Sequence, residues 1–92
     1  MTTSTSDLEV IAEQLTPVSH HASVRVLDGR PFVFAVGRAR MHSLEIRKID
    51  RGFKLALWEG PDGHDRLVHE REATSLDQAA GEAVQWLSKD RI

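Results

Sequence analysis

Glycine-marked turns cut the middle of this chain into short segments, and they constrain its fold more than any other feature. Asp28-Gly29, Gly37, Asp50-Arg51-Gly52 and Gly60-Pro61-Asp62-Gly63 each interrupt an apolar or alternating run. Asp-Gly is a hairpin dipeptide because both residues tolerate positive φ. The runs between these signals are Val24–Leu27, Phe32–Val36, Met41–Ile49, Phe53–Glu59 and about Arg66–Glu72, each with strand-like patterning. Connections this short force antiparallel neighbours, since a parallel crossover needs a dozen or more residues. The spacing therefore predicts a five-stranded antiparallel meander.

A helical pattern flanks the meander on each side. Near the start, Leu8, Ile11, Ala12 and Leu15 recur at helical spacing behind Ser6 and Glu9, which form a capping-box pair. Pro17 ends this helix near Leu15. Near the end, Ser75 and Gln78 form a second box, and Leu76, Ala80, Ala83, Val84 and Leu87 make one stripe, with Ala79 and Trp86 at its border. Lys89 and Arg91 fall where cations suit a helix C-terminus. Gly81 costs roughly 1 kcal/mol relative to alanine, and we read it as a point where a strand comes close. The expected fold is α+β: N-terminal helix, five-stranded meander, C-terminal helix packed on one sheet face. Residues 1–6 read as a flexible tail and 7–92 as a single domain.

Composition narrows the function. A chain of 92 residues holds one domain at most. With no cysteine, it has no disulfide framework, thiolate nucleophile or cysteine-ligated metal. No apolar run approaches the roughly 20 residues of a membrane span, and the polar opening Met1–Asp7 lacks the pattern of a secretory leader. The expectation is a cytoplasmic chain with no membrane association.

Catalytic patterns are equally sparse. His20, His21, His42, His64 and His69 show no metal-binding spacing, and no Gly-x-Ser-x-Gly elbow or glycine-rich phosphate loop occurs. Ser19–His20 and His42–Ser43 are neighbours in sequence, which says nothing about side-chain geometry. The expectation is a protein that is not an enzyme, with no metal and no cofactor.

Charge is the informative feature. Residues 25–54 carry eight Lys and Arg against Asp28, Glu45 and Asp50, a net +5, between acidic ends of −3 (residues 1–24) and −4 (residues 55–92). Alternation places Phe32, Phe34, Val36, Leu44, Ile46, Phe53, Leu55 and Leu57 under the C-terminal helix. The opposite face then carries Val33, Ala35, Ala56 and Trp58 beside Arg25, Arg47 and Lys54. A bulge near Arg47–Lys48 would exchange those two residues. Either the N-terminal helix covers this mixed face with Leu8, Ile11 and Leu15, or the face is a surface for a partner or for a second copy in a homodimer.

From Leu44 to Leu87 the element order, three antiparallel strands and a helix, resembles the arm-binding domains of phage integrases and the AP2-like plant DNA-binding domains. That likeness is in element order alone and implies a sheet that reads DNA. The first functional expectation is a small non-enzymatic protein that binds another macromolecule, in the size range of inhibitors, immunity proteins and anti-CRISPR antagonists. Its partner would be a protein or protein–nucleic-acid complex with an acidic surface. The alternative is a nucleic-acid-binding module using the basic strands. In both, Arg25, Arg47, Lys54 and Trp58 form the expected binding site.

Overall fold

The computed structural model describes residues 5–61 and 63–90. A helix, α1 (Thr5–Leu15), runs through a 3-10 turn (Thr16–Val18) into β1 (Ser19–Leu27). Then come β2 (Arg30–Gly37), β3 (His42–Ile49), β4 (Gly52–Glu59), β5 (Arg66–Ala73) and α2 (Leu76–Leu87). The strands lie in the order β1-β2-β3-β4-β5, and every neighbouring pair is antiparallel. This is the expected α+β meander between two helices.

The turn chemistry explains the registers. Asp28 and Gly29 have φ of 55° and 75°, the two left-handed residues of a type I′ hairpin. That turn sets Leu27 opposite Arg30 and Arg25 opposite Phe32. The β3–β4 pairing runs unbroken from His42↔Glu59 to Ile49↔Gly52, so the bulge considered near Arg47–Lys48 does not form. Register shifts occur instead between Ser19 and His21 and, in the β4–β5 pairing, between Leu57 and Trp58.

Two local expectations change. The helix α1 takes in Thr5 and Ser6, so Ser6 lies inside it rather than at its cap; residues 1–4, the rest of the expected tail, lie outside the described residues. Gly81 is exposed, and a Cβ there would meet no neighbour within 4 Å, so no strand approaches it. Lys89 lies beyond the end of α2, its ammonium 5.8 Å from the Trp86 ring centroid; Arg91, like Asp62, lies outside the described residues. On α2 the Ser75 half of the box forms, and Gln78 reaches one residue past the N-cap. Ser75 Oγ accepts from the Gln78 amide at 3.1 Å, and Gln78 Oε1 accepts from the Thr74 amide at 3.0 Å.

Both helices pack on the same side of the sheet. Leu8, Ile11 and Leu15 of α1 join Ala79, Ala83, Trp86 and Leu87 of α2 in one core over Val33, Ala35, Leu44, Ile46, Leu55 and Leu57. The helix α1 lies over β1 and β2, and α2 over β3 and β4, so two narrow helices share the width of one sheet. Trp86 anchors α2: its Nε1–H lies 3.0 Å from the Ser43 carbonyl and 3.2 Å from the Trp58 carbonyl.

This arrangement overturns one expectation about faces and decides between two others. In β2 it is Val33 and Ala35 that point under the helices, both fully buried. Phe32, Phe34 and Val36 point the other way. An all-apolar run carries no alternation from which to read its parity; the hairpin register decides it, because Phe32 must share a face with Arg25. Of the two readings of the opposite face, coverage by α1 does not hold. That helix lies beside α2 instead, and among the described residues neither helix packs on that face.

Candidate functional site: the open sheet face

The registers order the uncovered face in rows running across the strands. One row reads Ser23, Phe34, Glu45, Ala56, Glu70. Beside it lie Arg25 opposite Phe32 and Arg47 opposite Lys54, which is opposite Glu72. On the other flank run Val36, Ser43, Trp58 and Leu67. All four expected site residues, Arg25, Arg47, Lys54 and Trp58, therefore share one face.

They do not all touch. The Arg25 guanidinium stands 4.3 Å from the Phe34 ring centroid, and Arg47 stands 4.8 Å from that of Phe32. Both contacts have cation–π geometry, the positive group lying over the negative ring face. Arg47, Lys54 and Trp58 line one shallow depression of about 260 Å³, floored by Ala56 and flanked by Leu67 and Glu70. Trp58 also borders a second depression with Phe34, Ser43 and Glu45. The Trp58 Nε1–H is buried and has no acceptor among the described residues, and an unmet buried donor costs on the order of 1–3 kcal/mol.

Charge on the face is uneven, with a mixed β3 between the basic and acidic edges. Bases stand on β1, β3 and β4; acids stand on β3 (Glu45) and β5 (Glu70, Glu72). Arg47 lies 3.6 Å from Glu45 and Lys54 lies 3.9 Å from Glu70. These side chains are a third to a half exposed, so such pairs hold their geometry only weakly and can exchange partners.

The sequence reading missed Phe32, Phe34, Glu70 and Glu72 as members of this face. The signal for the two phenylalanines was present: a two-residue Asp28-Gly29 loop fixes Arg25 opposite Phe32. The two acids required the β4–β5 register, which its shift between Leu57 and Trp58 hides from strand parity.

A second polar cluster lies at the end of α2. Asp90, 6% exposed, accepts from the Met41 amide at 2.9 Å, from the His42 amide at 3.0 Å and from His42 Nδ1. His42 Nε2 lies 3.4 Å from Glu59, and the imidazole meets the Trp86 ring edge-on at 4.9 Å. Gly37 makes room for this contact, because a Cβ there would stand 2.4 Å from Asp90 Oδ2. The cluster fastens the chain after α2 to the β2–β3 connection. Among the described residues no group of three or more His, Asp or Glu is placed to hold a metal ion, and no helix is long and apolar enough to cross a membrane.

No protein-family model matches this chain, and no curated protein and no solved structure matches it either. The functional reading rests on the geometry of the open face.

Proposed function

We propose that this protein is a cytoplasmic, non-catalytic binding module that engages another macromolecule through the open face of its sheet. The observation that carries the reading is the combination of residues on that uncovered face: half-buried Phe34 and Trp58 interleaved with Arg25, Arg47 and Lys54, over a buried Phe32. Tryptophan and arginine are the residue types most enriched where binding energy concentrates, since they bury area and still stack or bond. A partner with acidic groups would draw Arg25, Arg47 and Lys54 away from their weak local contacts, and charge would speed the encounter. Inhibitors, immunity proteins and anti-CRISPR-like antagonists act in this manner, by covering a surface on their target.

The test is a photo-crosslinker at position 56 in cell extract, with and without Arg47→Glu and Lys54→Glu, after circular dichroism shows the fold intact. The expected result is a crosslinked species that the double substitution removes. Equal crosslinking by the folded double variant would place the binding site elsewhere.

Direct nucleic-acid binding is the second reading. It draws on Phe34 and Trp58, which stand partly exposed on an antiparallel sheet beside basic side chains. Retention on single-stranded DNA with a steep salt slope is its signature, because phosphate contacts release counterions. Glu45, Glu70 and Glu72 on the same face oppose it.

A further inference from the structure

Resting on the reading of the open face as a binding site, we infer that its occupant is a second copy of this chain, stacked sheet on sheet about a two-fold axis along β3. The argument is self-complementarity. A two-fold axis lying in the interface along the strands lays β1 of one copy over β5 of the other, and β2 over β4, while each row stays at its own level. An isologous contact requires the same patch to match itself under that operation.

The rows satisfy this. Arg25 on β1 meets Glu72 on β5 of the second copy, since the two begin and end the same level of the face. The operation makes that contact twice. One row away, Phe34 on β2 meets Ala56 on β4. A large ring thus stands over the small residue that floors the 260 Å³ depression. At the third level Val36 meets Trp58.

Only β3 puts like groups on the axis, Arg47 and Glu45. Within each copy these two stand 3.6 Å apart, so what meets at the axis is a paired, near-neutral unit rather than a lone charge.

The area is sufficient for a reversible pair. Five strands ~4.8 Å apart, each of about eight residues at ~3.3 Å, present a footprint of roughly 500–600 Å² per copy. Two copies bury on the order of 1,000 Å², the lower bound for a specific interface. A single-stranded nucleic acid fits less well, because β5 would set Glu70 and Glu72 against its phosphates.

Sedimentation velocity on the full chain tests this. Wild type is expected to move from monomer to dimer as concentration rises toward ~1 mM, the regime of a small interface. Arg25→Glu alone and Glu72→Arg alone each create two like-charge contacts and are expected to weaken the dimer about 100-fold. An equimolar mixture of the two variants restores both contacts and is expected to dimerise like wild type, which also shows that each variant is folded. A wild type that stays monomeric overturns the inference, as do variants that dimerise unchanged or a mixture that stays monomeric. A monomer that still gives the position-56 crosslink to another species, or that binds single-stranded DNA, removes the second copy as occupant but leaves the face as a binding site. Loss of that crosslink as well removes both.

Discussion

At the residue scale, the most exacting contact is between Gly37 and Asp90. The Asp90 carboxylate satisfies two backbone amides and an imidazole from within the fold, and it reaches them only because Gly37 has no side chain. Gly37→Ala is expected to displace the carboxylate and leave its donors unmet, at about 1–3 kcal/mol. Asp90→Ala removes the same bonds and costs a similar amount. The pair belongs to one contact, so the double variant is expected to lose clearly less than the sum of the singles. Urea denaturation of the four proteins measures this, and strict additivity would show that the two residues act independently. The core leucines are simpler. Leu55 and Leu87 are fully buried, and truncating either to alanine is expected to cost about 2–5 kcal/mol. Unchanged melting of both variants would contradict their place in the core.

At the element scale, α2 carries both a strong and a weak position. Its cap has Ser75 on the Gln78 amide and Gln78 reaching back to Thr74. Ser75→Ala is expected to destabilise by about 1 kcal/mol. Gly81 contributes nothing that a side chain would obstruct, so Gly81→Ala is expected to stabilise by roughly 0.5–1 kcal/mol. Opposite shifts of the urea midpoint would bear this out; a destabilised Gly81→Ala would mean that α2 needs the glycine for something other than space. The helices were legible from the sequence because an apolar stripe is a local signal, as is the Ser75 cap of α2; the Ser6 cap read for α1 is not one, since the helix already includes Thr5. The strands β3 and β4 were legible for the same kind of reason: alternation in Leu44–Ile46 and Phe53–Leu57 reads directly as a buried face. The strand β2 was not, since every residue from Phe32 to Val36 is apolar.

At the scale of the whole molecule, the chain makes a two-layer structure with an unequal division of labour. One layer is helical, and its core leaves Leu8, Ile11, Leu15 and Leu87 fully buried. The other is the sheet, whose far side keeps aromatic and charged groups outside that core. On that side Phe32 is buried, Phe34, Val36, Ala56 and Trp58 are half-buried and Leu67 is exposed, so a partner reaches the aromatic groups by displacing the arginines that lie over Phe32 and Phe34. The two tests of that face operate at this scale. They alter charge at exposed or partly exposed positions and are expected to leave the fold in place, because surface substitutions usually change stability by no more than about 0.5 kcal/mol.

The sequence by itself determined the element order, the antiparallel pairing and the sharing of one side of the sheet by Lys54 and Trp58, while the registers of β1–β2 and β3–β4 brought Arg25 and Arg47 to that side. The first three follow from turn length, capping residues and two-residue periodicity, all of which act within a few positions along the chain. Only the tertiary structure decided where α1 lies. Its apolar stripe of Leu8, Ile11 and Leu15 would fit either face of a sheet. It packs beside α2, where Val33 and Ala35 complete the surface that α2 alone is too narrow to cover. That choice is made by burial summed over the whole core, which no local pattern encodes, and it is what leaves Phe32, Phe34 and Trp58 on the uncovered side.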